Sequence, residues 1–283
     1  MLERGLVTGI RDYFQRTGFR TAILGLSGGI DSAVVATLAA RALGPGNVLG
    51  VAMPSQYSSG HSLEDAEALA RNLGIRYGVR PIKFLFSQAS REMGESVGGQ
   101  LAGIAQENLQ SRLRGLILMT LSNHTGGLVL TTGNKSEIAV GYCTLYGDMC
   151  GALAPIGDLY KTRVYELARH LNGAPGNPIP ERCLTKAPSA ELRPNQTDQD
   201  SLPPYEKLDA LLKAYLEERT PFDGLVKLFG GDQERGWIQE VLRKIEINEY
   251  KRRQAAPVLK VSNKAFGIGR RIPIAKQWET AGT

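Results

Sequence analysis

Between Thr21 and Leu43 the chain passes from an apolar run, through a short glycine loop, into an alanine- and leucine-rich stretch. Thr21-Ala22-Ile23-Leu24-Gly25-Leu26 has the unbroken apolar character of a buried parallel strand. Ala33 to Leu43 is helical in pattern and is ended by Gly44. Ser27-Gly28-Gly29-Ile30-Asp31-Ser32 joins the two. A strand that feeds a glycine loop opening a helix is a geometry for holding phosphate. The glycines let the backbone come close, the amides point inward, and the helix N-terminus supplies partial positive charge. The Walker pattern G-x-x-x-x-G-K-[ST] is absent, because no lysine follows the glycines. Asp31 stands inside the loop instead, where a carboxylate repels phosphate unless a cation lies between them. The loop therefore reads as one for pyrophosphate plus Mg²⁺, and not as a kinase or GTPase loop. The plainer reading is a strand–turn–helix whose glycines serve only the turn.

The rest of the N-terminal half alternates in the same way. Residues 1–18 read as an amphipathic helix with Leu6, Ile10, Tyr13 and Phe14 at helical spacing, ended by Gly18. A second strand runs from Asn47 to Met53 before Pro54, and Ser62-Leu63-Glu64-Asp65 resembles a capping box that starts a helix to Asn72. A third strand is expected around Ile75 to Lys83. The stretch from Phe86 to Gly103, with several Gly and Ser residues, is expected to be partly mobile. A helix from Gln106 to Ser122 carries Leu109, Leu113, Leu116, Ile117 and Leu121 on one face, and Gly127 to Thr132 is a fourth strand. Strands alternating with helices predict right-handed crossovers and an α/β, doubly wound parallel sheet. Ligands in such sheets sit at the carboxyl ends of the strands, so Ser27, Pro54 and Thr132 are expected on one edge. Thr185 to Tyr205 is a proline-rich polar loop, helices follow at 205–219 and 233–253, and the last 30 residues are expected to wrap the surface.

Composition excludes several classes. At 283 residues the chain fits one large α/β domain with appended helices, or two small domains. No stretch approaches 18 apolar residues, and the N-terminus lacks a signal peptide's apolar core, which predicts a cytoplasmic protein with no membrane partner. The three cysteines, Cys143, Cys150 and Cys183, form no C-x-x-C pair. That argues against a structural zinc, a secreted disulfide scaffold and the sulfur-transferring chemistry that uses paired cysteines; they read as core residues rather than nucleophiles. The net charge of +6 suits an anionic small substrate as well as nucleic acid. Lys251-Arg252-Arg253 is too short for an RNA-binding tract and reads by itself as a solvated helix end, so no nucleic-acid partner is expected.

The S-G-G-x-D-S loop should arise by chance in well under about one chain in a thousand of this length. It resembles the signature of the PP-loop ATP pyrophosphatases (adenine nucleotide alpha hydrolase-like), which cleave ATP between the α and β phosphates. Thr131-Thr132-Gly133-Asn134-Lys135-Ser136-Glu137 follows the fourth strand, and Gly141-Tyr142-Cys143-Thr144-Leu145-Tyr146-Gly147-Asp148 comes next. With M-P-S-x-Y-S-S at 53–59, E-N-x-Q-x-R at 107–112, D-L-Y-K-T at 158–162, K-A-P-S-A-E-L at 186–192 and N-E-Y-K-R-R-Q at 248–254, the chain resembles the synthetase domain of NAD synthetases, most closely the glutamine-dependent type. The resemblance implies a single synthetase domain over 1–283.

That resemblance implies ATP and deamido-NAD (nicotinic acid adenine dinucleotide) as substrates, adenylation of the nicotinate carboxylate, and attack by ammonia. It assigns ATP to Gly25, Leu26, Ser27, Gly28, Gly29, Ile30, Asp31, Ser32, Thr132, Lys161 and Ser189. Asp31 and Lys161 take the catalytic roles. Asp31 would bind Mg²⁺, and Glu137 would serve the metal or the dinucleotide. Asn108, Arg112, Glu137 and Lys251 would contact deamido-NAD, Lys251 near a homodimer interface. The first helix and the 106–122 helix are expected to offer apolar area for that dimer. By themselves, Asp158 and Lys161 also read as a helix N-cap and a first-turn residue, Glu137 as a solvated carboxylate, and Arg112 as a partner for Glu107.

Two departures matter. Ammonia-dependent relatives carry lysine at the position of Leu145 and aspartate at that of Ala152, and this chain has neither. It also starts about 24 residues before the loop, so the glutaminase domain of the glutamine-dependent type is expected to be missing. Either free ammonia is used or a separate glutaminase subunit delivers it. Another PP-loop ligase, or a synthetase-like subunit that only binds nucleotide, remains the alternative.

Overall fold

A computed structural model describes residues 1–173, 176–267 and 269–274. Helix α1 (Leu2–Thr17) ends at Gly18, which takes the left-handed conformation at φ 80°. Its Leu6, Ile10 and Phe14 are fully buried and face helix α2 (Ile30–Leu43). Burying side chains of that size stabilises by about 1.5–3 kcal/mol each. Strand β1 (Ala22–Gly25) feeds α2, which is buried almost all round, its small Ala and Val residues letting the sheet and its helical neighbours approach closely. Strand β2 (Val48–Ala52), helix α3 (Gly60–Leu73), strand β3 (Arg76–Val79), helices α4 (Lys83–Ser96) and α5 (Gly103–Thr125) and strand β4 (Leu128–Val129) follow.

The four strands lie in the order β3-β2-β1-β4, all parallel, with Ala22 opposite both Val48 and Leu128. One face packs on α1, α2 and α3 and on helix α7 (Lys161–Asn172). On the other, Ile23, Val51, Met53, Ile82 and Val129 pack against Leu118 of α5. Helices on both faces make the sheet doubly wound, as expected. The chain leaves β1 in one direction for β2 and β3 and returns on the other side to β4, so the switch point lies between β1 and β4. Helices α6 (Lys135–Val140) and α8 (Glu181–Thr185) flank the strand ends. Helices α9 (Tyr205–Leu216), α10 (Phe222–Leu228), α11 (Arg235–Ile247) and α12 (Glu249–Arg252) build a second apolar cluster around Leu208, Leu212, Ile238 and Leu242.

Several expectations need correction. Residues 83–96 form α4 rather than a loose stretch. Helix α3 starts two residues before Ser62, capped by Ser59, whose hydroxyl accepts from the Ser62 amide at 3.2 Å. The expected helix at 233–253 is two, broken at Asn248. On α5 the expected stripe holds in part: Leu113 is buried and Ile117 and Leu121 pack on the sheet, but Leu116 is 59% exposed, and Gln110, Ser111, Gly115 and Leu118 complete the buried face. The first helix spends its apolar face inside its own core and leaves none for a partner. The 106–122 helix does expose apolar side chains, Leu116 and Met119, and α4 and the start of α5 add Phe84, Met93 and Ile104. Part of the last 30 residues does pack on the domain, through the pairing of Ala154 with Val258, and residues 275–283 lie outside those described. Among the described residues, no helix is long and apolar enough to cross a membrane.

Candidate active site

The loop after β1 is fixed by its own serines. Ser32 Oγ donates to the Gly29 carbonyl at 3.0 Å and lies 3.1 Å from Ser27 Oγ, which accepts from the Gly29 amide at 3.2 Å. Gly28 is the position that only glycine can hold. Its φ is +76°, and a Cβ there would lie 2.3 Å from the Ser62 carbonyl oxygen of α3. With Gly29 as the N-cap of α2, the first-turn amides face a cavity of about 300 Å³ at the carboxyl ends of the strands.

Three charged side chains from distant parts of the chain meet at that loop. Lys161, at the start of α7, donates from Nζ to Asp31 Oδ2 and, at 3.2 Å, to Glu137 Oε1. Asn134 joins the same group. Its Nδ2 donates to Asp31 Oδ1 at 2.9 Å, and its Oδ1 caps α6 by accepting from the Glu137 amide at 3.1 Å. The Glu137 carboxylate completes a capping box by accepting from the Asn134 amide at 3.2 Å. One asparagine thus sets both carboxylates. Desolvation works to lower the Lys161 pKa, but the Asp31 and Glu137 carboxylates outweigh it and hold the ammonium charged. Burial pushes the Glu137 carboxyl upward, opposed by Lys161 and reinforced by the charges of Asp31 and Asp198. Only one ammonium faces the three carboxyl groups, and the upward push on Glu137 and Asp198 marks a centre short of positive charge. Asp31 and Glu137 are hard oxygen donors converging beside a phosphate loop, which fits a Mg²⁺ held by one or two carboxylates together with phosphate oxygens.

Sequence reasoning missed the residues that steady this centre. Asp198 is buried, accepts from the Tyr205 hydroxyl at 2.7 Å, and is pushed up by burial although Tyr205 and Lys161 oppose it. Tyr205 puts its ring 5.3 Å from Lys161 Nζ. Across the cavity, Glu191 ties the 186–198 segment to the start of α3, accepting from Ser62 Oγ at 2.8 Å and from Lys186 Nζ at 2.5 Å. Burial works to raise its pKa, but Lys186 and Ser62 hold it below its usual range. Ser189 lines the cavity and donates to the Gln196 carbonyl at 2.5 Å. Asn134 had a local signal in its N-x-x-E spacing. Lys186 with Glu191 and Asp198 with Tyr205 also pair five and seven residues apart, but their contacts with Ser62 and Lys161 span long separations.

The sequence candidates divide into two groups. Gly25 to Ser32, Thr132, Glu137, Lys161 and Ser189 all line the one cavity. Asn108, Arg112 and Lys251 gather instead around the 141–146 loop, whose Tyr142 and Cys143 also line it. Asn108 Oδ1 accepts from Thr144 Oγ1 at 2.8 Å, Arg112 Nε donates to the Leu145 carbonyl at 3.2 Å, and Lys251 Nζ donates to the Gly141 and Cys143 carbonyls at 2.8 and 2.9 Å. The basic run 251–253 is therefore not a solvated helix end. Arg252 is buried on Glu249 and on the carbonyls of Ala139 and Ile245. Nor is Asp158 an N-cap: α7 is capped at Tyr160, and Asp158 accepts from the Val261 and Ser262 amides at 2.8 and 2.7 Å.

The NAD synthase family model matches residues 2–255. A glutamine-dependent NAD(+) synthetase of a Synechocystis species is 49% identical over 282 residues, covering 100% of this chain and 50% of that protein. The structure of glutamine-dependent NAD+ synthetase from Acinetobacter baumannii, in complex with ADP, superposes at a TM-score of 0.64 with 43% identity, again over 100% of this chain and 50% of that one. An NH3-dependent NAD synthetase from Campylobacter jejuni, in complex with the nitrate ion, superposes at 0.69 with 29% identity, covering 87% of this chain and 94% of that chain. The chain spans about half the length of the curated relatives it matches.

Proposed function

The chain belongs to the NAD synthase family, and from that premise we propose that it converts deamido-NAD to NAD, using ATP to adenylate the nicotinate carboxylate and ammonia to displace AMP. One observation carries the reading. Asp31, Glu137 and Lys161 converge beside the Gly28-Gly29 loop at the sheet's switch point, where a cleaved nucleotide tail would need both a metal and a cation.

The loop amides and the α2 N-terminus hold the β and γ phosphates, and Asn134 keeps Asp31 and Glu137 turned toward them. Asp31 and Glu137 would hold a Mg²⁺, which would supply positive charge to the departing pyrophosphate. Lys161 adds a point charge where negative charge develops, and Asp198 and Tyr205 keep it aimed. Deamido-NAD lies along the 141–146 loop with Asn108, Arg112 and Lys251. Holding both substrates in line contributes up to about 7–11 kcal/mol toward the barrier. The nitrogen arrives as ammonia, free or delivered by a glutaminase. Burial pushes the Cys143 and Cys183 thiols up to about 12 and raises Cys150 as well, which leaves the described residues no activated thiol to hydrolyse glutamine. The exposed apolar side chains of α5 make a homodimer through that helix part of the reading, and Ile104→Asp with Leu116→Asp should yield a monomer by sedimentation.

The test is product analysis with ATP, Mg²⁺, deamido-NAD and ammonium. NAD, AMP and pyrophosphate should appear in equal amounts, with glutamine giving almost no NAD and ammonium giving more as the pH rises toward 9. Release of ADP and phosphate, or ATP cleavage indifferent to deamido-NAD, would refute the reading.

A further inference from the structure

The buried cations of this fold come with carboxylates. Lys135 has Asp158 and Glu217, Lys161 has Asp31 and Glu137, and Arg252 has Glu249. Arg114 does not. It stands on the inward face of α5, half-buried and lining the cavity, and among the described residues no carboxylate lies within ion-pair distance of it. Its Nε donates to the Met53 carbonyl just past β2 at 3.0 Å, which fixes the plane of the guanidinium. Its two terminal nitrogens have no protein partner among the described residues. Desolvation pulls its pKa down to about 10, so the protein carries a cost for keeping a charge here.

The position says which part of a ligand the charge serves. Met53 and Leu118, one turn along α5 from Arg114, both close on Gly25, where the loop begins. The carboxylates that act on Arg114 through space are Glu191 and Asp148, not the Asp31–Glu137 pair beside Lys161. Arg114 therefore enters the cavity beside the end of β2, at the start of the loop by Gly25, and makes no contact with the Asp31–Glu137–Lys161 cluster. We propose that Arg114 binds the α-phosphoryl group of the nucleotide, the phosphate that stays with the acceptor when the α–β bond breaks and pyrophosphate departs. A planar fork with one donor already committed to Met53 offers its remaining donors to two phosphoryl oxygens at once. The assignment rests on the ATP chemistry proposed above.

Titration calorimetry with AMP, and separately with magnesium pyrophosphate, tests it on the wild-type protein, Arg114→Gln and Arg114→Lys. AMP affinity should fall about tenfold to a hundredfold in Arg114→Gln, the loss expected for charge-assisted hydrogen bonds, while pyrophosphate affinity changes less than about twofold. Arg114→Lys keeps the charge but not the fork, and should recover only part of the loss; it carries the same comparison if the glutamine variant fails to fold. AMP affinity unchanged in the variants, or AMP and pyrophosphate weakened alike, would overturn the assignment alone. A wild-type protein that binds neither would overturn the functional reading and the assignment with it.

Discussion

Lys135 lies inside the T-G-N-K-S-E motif yet turns away from the cavity, and replacing it should destabilise the fold rather than impair nucleotide binding. Its side chain is fully buried, and Nζ reaches Glu217 at 3.0 Å, Asp158 at 3.1 Å, Ser262 Oγ at 2.8 Å and the Lys264 carbonyl at 2.8 Å. Tyr160 sits 4.6 Å beneath it. Lys135→Met keeps the packing volume but strands two buried carboxylates, and breaking such a pair costs about 3–5 kcal/mol. The lost bonds to Ser262 and Lys264 add about 1 kcal/mol each at most. A loss of about 4–6 kcal/mol is close to half the stability of an ordinary domain. Urea unfolding followed by fluorescence should show the midpoint fall at an unchanged slope. Lys135→Met combined with Glu217→Gln should recover part of the loss, because one of the two stranded charges is gone. ATP affinity measured at low temperature, where the variant is folded, should match the wild type. Unaltered stability with weakened ATP binding would refute the reasoning and put Lys135 in the site.

Asp31→Asn should leave the unfolding midpoint nearly intact and reduce AMP formation at least about a hundredfold, read by single-turnover assays at saturating Mg²⁺, since it removes a metal ligand and a partner of Lys161 together. Gly28→Ala should destabilise by about 2–4 kcal/mol in urea unfolding and abolish detectable ATP binding, because its φ of +76° and the 2.3 Å approach to the Ser62 carbonyl force either the loop or α3 to move. Alkylation of Cys143 and Cys183 by iodoacetamide, followed by mass spectrometry, should still be accelerating about tenfold per pH unit between pH 8 and 10. Burial holds both thiols up near 12, whereas a free thiol near 8.5 levels off in that range.

The fold was legible where local pattern and burial agree. The apolar runs at 22–25 and 48–52, the glycine-ended helices and the S-G-G-x-D-S loop each carry their geometry within a few residues. α4 was missed because its Gly and Ser residues mimic a loop, and only packing on α5 settles it. On α5, Leu116 was misjudged for a related reason. Leucine spacing predicts a core-facing stripe, but this helix roofs a ligand cavity, so its inner face holds Ser111, Arg114 and Gly115. The small residues Ser111 and Gly115, four apart, were the available signal. In the site, Asp31, Glu137 and Lys161 were reachable through motifs. Asp198, Tyr205 and Arg114 were not, because an isolated charge or tyrosine in a helix or loop reads the same whether it faces water or a cavity.

On the proposed mechanism, the cavity transfers the AMP moiety of ATP to a carboxylate before any nitrogen arrives. Isotope exchange between labelled pyrophosphate and ATP, with Mg²⁺ and without ammonia or glutamine, tests it most directly. Exchange should depend on deamido-NAD and drop at least about a hundredfold in Asp31→Asn and in Lys161→Met. Absence of exchange with deamido-NAD present while ammonium still yields NAD, or exchange that proceeds equally well in Asp31→Asn, would contradict it.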